Sequence, residues 1–319
     1  MSVTSARPRI AAVVVCWNRC DLLPDVLDAL ACQTRPLDAI VAVDNASSDD
    51  TPRVLAQHPA PTCIVTTPRN LGGAGGFAAG IAAALEDGAD LVWIMDDDTV
   101  PAPDALAALE AARESYRGQP ALLAARADWI DGREHPMNRP RYRPWLNRGS
   151  RIAAARIGAR PVRTASFVAV LIDARAIREE GLPEAAYFLW NDDFEYTGRL
   201  LRRRVGLYVP RARVEHRTRT FGNSTADPGP RFVNEVRNKM WTFTRSPAFG
   251  PLDRVAFAGA TALRWMRLLA RSPQRRQHLS RLYEGVCEGM RAPAPTVDVL
   301  AETPVAEAVR SIEEGAGRV

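Results

Sequence analysis

Leu91-Val92-Trp93-Ile94-Met95-Asp96-Asp97-Asp98 decides the reading of this chain, because five apolar residues run without a spacer into three carboxylates. An apolar run of that length is a buried strand, and the acids fall at its end. Three adjacent carboxylates repel one another and resist desolvation unless a cation or strong donors lie between them. Oxygen ligands of this hardness suit Mg or Mn better than zinc. The triplet also fits a solvated acidic turn before Pro101 and Pro103, so its neighbours must decide.

On the N-terminal side, short β-branched runs alternate with helical periodicity: Ile10–Cys16, then Leu22, Leu23, Val26, Leu27 and Leu30, then residues 39–43 and 63–66. Continuous apolar strands joined by helices imply a largely parallel sheet covered on both faces, and such sheets bind ligands beyond the carboxyl ends of their strands. Candidates at those ends are Trp17-Asn18-Arg19, Asp44-Asn45, Arg69-Asn70 and the Asp triplet.

On the C-terminal side, residues 126–163 carry ten arginines against Asp128, Asp131 and Glu134, which reads as a basic excursion across the mouth of the sheet. Residues 166–172 read as a further strand and 192–204 as a helix. From Pro230 the periodicity is mainly helical, divided at Pro273, and residues 292–295 lead into an acidic tail.

At 319 residues the chain has room for one large domain, or a domain with an appended subdomain. A formal charge of +5 and a pI near 9.2 favour an anionic partner without choosing among nucleic acid, nucleotide and lipid headgroup. Of 42 basic residues only Lys239 is lysine. Cys16, Cys20, Cys32, Cys63 and Cys287 are odd in number and lack Cys-x-x-Cys spacing, as in a reduced cytosolic protein. No apolar run approaches the about 18 residues of a membrane span, and Ile10–Cys16 is too short for the core of an export signal.

Asn70-Leu71-Gly72-Gly73-Ala74-Gly75-Gly76-Phe77 precedes a helical stretch. Its glycines either let backbone N–H groups approach an anion or let the helix pack closely; the downstream acid of a dinucleotide fingerprint is missing. Asp44 can accept from the ring N–H of uracil or thymine, or cap its loop. Asp192, Asp193 and Glu195 open a helix, where acids compensate the dipole and one can also serve as a general base. His216 lies among arginines, as a surface residue or a ligand. Trp190 and Trp241 can stack on sugar faces or pack in a core.

Taken in order, the Val43-Asp44-Asn45-Ala46-Ser47-Ser48-Asp49-Asp50-Thr51 loop, the glycine-rich loop, the Asp triplet, Asn191-Asp192-Asp193-Phe194-Glu195 and His216 resemble a family 2 glycosyltransferase of GT-A fold, from Ile10 to about residue 245. Within that family the glycine-rich loop and triplet are most similar to actinobacterial galactofuranosyltransferases that begin the cell-wall galactan. The resemblance implies a UDP-galactofuranose donor and a polyprenyl-diphosphate-linked rhamnosyl–GlcNAc acceptor. It implies that Asp44 reads the uracil ring and that Arg69 and Asn70 face nucleotide and donor sugar. Asp96 and Asp98 then serve the nucleotide and an Mn or Mg ion, with His216 completing the metal site and Asp97 on the sugar. Asp193 takes the base position with Asp192 as its rival, while Trp190, Asp192, Glu195 and Trp241 border the acceptor. Cys16-Trp17-Asn18 departs from the usual Thr-aromatic-Asn, which leaves a contact from the first loop open.

The expected fold is α/β: a GT-A body with a mostly parallel sheet over residues 1–228, divided into a nucleotide-sugar half, 1–100, and an acceptor half, 101–228. A helical region, 229–291, and an acidic tail, 292–319, follow. The expected activity is metal-dependent inverting transfer in which Asp193 deprotonates the attacking hydroxyl as UDP leaves. Transfer from dTDP-rhamnose is the alternative on the same scaffold. A non-catalytic binder of nucleic acid or an anionic surface is the alternative of another class, and strand-end carboxylates argue against nucleic acid. Arg264, Arg267 and Arg271 form one helical stripe, and Val255, Gly259, Leu263 and Met266 another. These fit a helix lying on the inner face of the cell membrane, or a contact within a homo-oligomer.

Overall fold

β1 (Ile10–Cys16) is buried at every position, which sets it at the middle of a sheet. Ala11, Val13 and Val15 join the core on one side, and Ile10, Ala12, Val14 and Cys16 the core on the other. The computed structural model describes residues 7–143, 146–222 and 228–318. Around β1 the alternation continues through α1 (Leu23–Ala31), β2 (Ala39–Asp44), α2 (Thr51–Gln57), β3 (Cys63–Thr66), α3 (Gly72–Glu86) and β4 (Leu91–Asp96). β1 pairs in parallel with β2 and β4, and β2 with β3.

The second half adds β5 (Thr99–Pro101), α4 (Ala105–Ser115), β6 (Leu122–Asp128), β7 (Arg141–Tyr142), α5 (Arg148–Arg156), β8 (Arg160–Thr164), β9 (Val170–Asp173), α6 (Ala174–Glu180), α7 (Asp192–Leu200) and β10 (Gly206–His216). Strand order is β3-β2-β1-β4-β9-β6-β10-β8-β7, with β5 paired to β10. β9 runs antiparallel to β4 and β6, and β10 parallel to β6. The antiparallel β5–β10 pairing sets His216 opposite Thr99, so the last strand ends beside the acid triplet. The strand expected over 166–172 is confined to Val170–Asp173, because the chain bends at Ala169, whose φ is 59°.

Packing explains Gly76 and Gly80 of α3. A Cβ on Gly76 would meet Val15 Cγ1 at 2.5 Å, and one on Gly80 would meet Val13 Cγ1 at 2.3 Å. Only hydrogen at these positions lets the helix lie this close to β1.

α8 (Phe232–Thr244), α9 (Pro251–Arg271), α10 (Arg275–Met290), α11 (Thr296–Val299) and α12 (Ala306–Gly315) complete the chain. Within the stretch expected to be an acidic tail, residues 292–318 pack against the body of the fold. Leu300 and Val309 are fully buried in the α3-side core, and Glu313 accepts from Leu182 N at 2.6 Å. Glu307 and Glu314 lie on the exposed side of α12, so an amphipathic helix carries a tail-like composition. All five cysteines are free. Among the described residues no helix is long and apolar enough to cross a membrane.

Candidate active site

β4 delivers Asp96 at its last position, and the turn into β5 brings Asp98 against the end of β10. One ligand atom each from Asp96, Asp98 and His216 lies within 4.8 Å of the others. Asp98 Oδ1 is buried without a well-aligned hydrogen bond, although His216 Nε2 is 3.1 Å away. Two carboxylates, an imidazole and an underused buried oxygen fit a hard divalent cation. His216 Nδ1 lies 2.9 Å from Asn138 Oδ1. An amide oxygen can only accept, so this contact puts a proton on Nδ1, which suits Nε2 to serve as a ligand atom. Asn138 in turn donates to Ser166 Oγ at 3.1 Å.

Electrostatics agree with the geometry. Burial pushes Asp96 up to about 6, and the charge of Asp98 adds to the effect. Burial would raise Asp98 as well, but His216 and Arg19 hold it below the usual carboxylate range. Burial lowers His216, and its Asp98 partner more than offsets this, so its pKa is raised. A divalent cation held there would supply the positive charge that these acids otherwise take from protons.

Asp97 is the exception in the triplet. Its Oδ2 accepts from Trp17 N at 2.9 Å and its Oδ1 faces Arg19 Nε at 3.5 Å, while burial pushes it up to about 8. Through these contacts Asp97 ties the first loop to the triplet. That loop does reach the site, since Arg19 also lies 3.6 Å from Asp98.

At the ends of β2 and β3, Asp44 is buried and accepts from Ser47 N at 3.0 Å. The neighbouring Asn45 does more to shape the loop. It donates to Gly72 O at 2.9 Å and Asn70 Oδ1 at 3.2 Å, and accepts from Leu71 N at 2.8 Å and Thr67 Oγ1 at 3.1 Å. Asn70 Oδ1 also takes Gly72 N at 2.7 Å, so this oxygen serves its own loop. Arg69 is more than half exposed and pairs with Glu302 at 3.3 Å, away from the triplet's contacts.

Asp192 and Asp193 stand at the start of α7, after a loop in which Phe188, Trp190 and Asn191 all have positive φ, between 61° and 73°. Such backbone is costly for residues with a Cβ and persists only where the surroundings impose it. Here α8 imposes it: the buried Asn238 Nδ2 lies within 3.1 Å of three carbonyls, those of Tyr187, Leu189 and Trp190. Asn191 Nδ2 donates to Glu235 at 2.6 Å. Burial raises Asp192 well above the carboxylate range, and Asp193 adds to that. Burial also raises Asp193, against Phe194 N, Lys239 and Arg141, which lower it.

A cavity of about 1070 Å³ joins these parts: it is lined by Asp96, His216, Trp190, Asp192 and Asp193 together with Arg139, Arg141, Arg264 and Arg267. Two expected acceptor residues are corrected. Glu195 is 1% exposed and bound to Arg199 Nε at 2.9 Å and Ser246 Oγ at 2.6 Å, so it is an internal anchor. Trp241 is buried against Tyr187 and donates from Nε1 to Arg291 O at 2.8 Å. Both fall on the inward faces of their helices. Asn138 and Asn238 are not foreseen from the sequence because an isolated Asn has no pattern that marks it.

The profile described as Glycosyl transferase family 2 matches residues 11–180. The galactofuranosyltransferase GlfT1 of Mycobacterium tuberculosis (strain H37Rv) is 36% identical over 199 residues, which are 60% of this chain and 64% of that protein. GlfT1 of Mycolicibacterium smegmatis is 43% identical over 93 residues, 29% of this chain and 31% of the relative. The chain thus spans less than two thirds of the length of these relatives. Among solved structures, S. aureus TarS 1-349 in complex with UDP-GlcNAc superposes with a TM-score of 0.61 at 14% identity, covering 97% of this chain and 89% of the other. GalNAc-T7 with UDP, GalNAc and Mn2+ gives 0.56 at 15%, covering 94% and 59%. At such identities these likenesses concern the fold, which is GT-A.

Proposed function

The chain belongs to glycosyl transferase family 2, and from that premise we propose that it is a metal-dependent, inverting galactofuranosyltransferase. Its donor is UDP-galactofuranose and its acceptor a polyprenyl-diphosphate-linked rhamnosyl–GlcNAc glycan at the inner face of the cell membrane. The similarity to GlfT1 supports the sugar. The observation that carries the mechanism is that Asp96, His216 and Asp193 line one and the same cavity.

An Mn or Mg ion held by Asp96, Asp98 and His216 would offset the charge developing on the leaving diphosphate. Asp44 reads the uracil ring from the end of β2. Asp193, its basicity raised by burial, accepts the proton of the attacking hydroxyl as that oxygen meets the anomeric carbon from the face opposite UDP. One displacement inverts the anomeric centre. Trp190, held by Asn238, borders the acceptor sugar, and Arg139 and Arg141 supply countercharge for its diphosphate. Residues 1–100 form the donor half and 101–228 the acceptor half of this site.

The test is transfer to a synthetic polyprenyl-type diphosphate rhamnosyl–GlcNAc acceptor, comparing UDP-galactofuranose with dTDP-rhamnose, with Mn, with Mg and with EDTA, read by product mass. Metal-dependent addition of a hexose is expected. Addition of a deoxyhexose from dTDP-rhamnose overturns the donor. Asp193→Asn should keep UDP binding and lose transfer by roughly a hundred- to ten-thousandfold; full activity would transfer the base to Asp192.

A further inference from the structure

Of the 21 residues of α9, only Thr261 is buried. Leu252, Val255, Leu263 and Met266 are 87, 76, 43 and 58% exposed. With Gly259 they fall in an arc of roughly 80° at 100° per residue, an apolar stripe that none of the described residues covers. Arg264, which is paired with Glu235, and Arg267 and Arg271 run along the adjoining edge, and all three line the cavity that contains Asp193. Exposed Arg275 and Arg276 follow at the start of α10. Between residues 251 and 276 the single acid is Asp253, which is already paired with Arg163 at 3.1 Å.

We propose that α9 is a docking helix for an anionic lipid bilayer. The stripe enters the boundary between headgroups and acyl chains, and the arginine edge lies at the level of the lipid phosphates. Charge decides against a second copy of the chain, because a contact of stripe on stripe brings to this edge no acid of α9 except Asp253, which is already paired with Arg163. An anionic surface meets that edge with the opposite charge. In this orientation the side of the cavity that α9 lines with Arg264, Arg267 and Arg271 faces the headgroups, where a lipid-linked diphosphate can enter without leaving the bilayer. This last step rests on the acceptor proposed above, whereas docking itself does not.

The test is flotation of the full chain with vesicles of phosphatidylcholine alone and of equal parts phosphatidylcholine and phosphatidylglycerol, beside a Leu263→Asp/Met266→Asp variant. Both residues are exposed and neither lines the cavity, so the fold and the transfer to a short, water-soluble acceptor should persist. The chain should float with the anionic vesicles, less so at high salt, and the double variant should bind at least about tenfold more weakly. Three results overturn the proposal: no preference for anionic vesicles, equal binding by the variant, or a wild-type dimer in solution that the variant dissolves. No transfer to the soluble acceptor by the wild-type chain, with its binding to anionic vesicles intact, would instead count against the enzymatic reading alone.

Discussion

Lys239 is the one lysine among 42 basic residues, and it is buried with its Nζ 3.4 Å from the centroid of the Phe194 ring. A compact ammonium fits against that ring where a guanidinium would need room for its planar fork. Burial draws its pKa down to about 7, with Glu235 opposing and Arg141 and Arg264 assisting. The unfolded chain holds this proton to about 10.4, so between these values the unfolded state binds more protons and stability rises with pH. Below pH 7 both states carry the proton and the contribution is flat. Lys239→Met should remove a slope of up to a few kcal/mol across that window. Urea denaturation of both forms at pH 7 and pH 9 checks this; parallel changes in the two would mean that Lys239 titrates normally. That Asp96, Asp98 and His216 group together is legible at this scale because they carry their chemistry in their residue type. Asn138 and Asn238 act through geometry that no spacing announces, and Glu195 reads as a site residue because its buried partner, Arg199, cannot be told in sequence from a solvated arginine.

Apolar runs at β1 and β4 and the helical spacing between them make the parallel half of the sheet readable, since period and burial coincide there. The antiparallel insertions are harder. β9 enters between β4 and β6, and β10 reaches the triplet only through its pairing with β5, relations set by tertiary contact. α3 is ambiguous for a further reason: glycines that admit an anion and glycines that admit a neighbouring strand look alike in sequence. The structure separates them. A Cβ on Gly80 falls 2.3 Å from Val13 Cγ1, whereas one on Gly73 finds Asp192 Oδ2 at 3.8 Å as its nearest neighbour. In an open helix either change to alanine would gain about 1 kcal/mol. Gly80→Ala should instead lose about 1–3 kcal/mol through overpacking and lower the Tm by several degrees. Gly73→Ala should leave the Tm unchanged or raise it. Calorimetry of the two variants decides, and the reverse order would refute packing as the reason for the run.

At the scale of the molecule the chain closes on itself, its last segment completing the core of its first half. Leu300 and Val309 are wholly shielded from water, joining Ala79, Ala82 and the rest of the core that covers α3. Composition conceals this, because a segment with acids on one face reads as a tail until its other face has a partner, and Leu182, bonded to Glu313, is 131 residues away. The segment also reaches the donor side through the Arg69–Glu302 pair, but both side chains are largely exposed, so that contact contributes little. Apolar burial holds the segment far more strongly. Leu300→Ala removes a wholly buried side chain from a core bounded by α3, α11 and α12, and such truncations cost about 2–5 kcal/mol. If residues 292–319 belong to the same cooperative unit as the sheet, urea unfolding of Leu300→Ala should remain one transition with an unchanged slope and a midpoint lowered accordingly. An early separate transition would make the segment an independently fraying appendage. An unchanged midpoint would mean that α3 does not depend on it for cover.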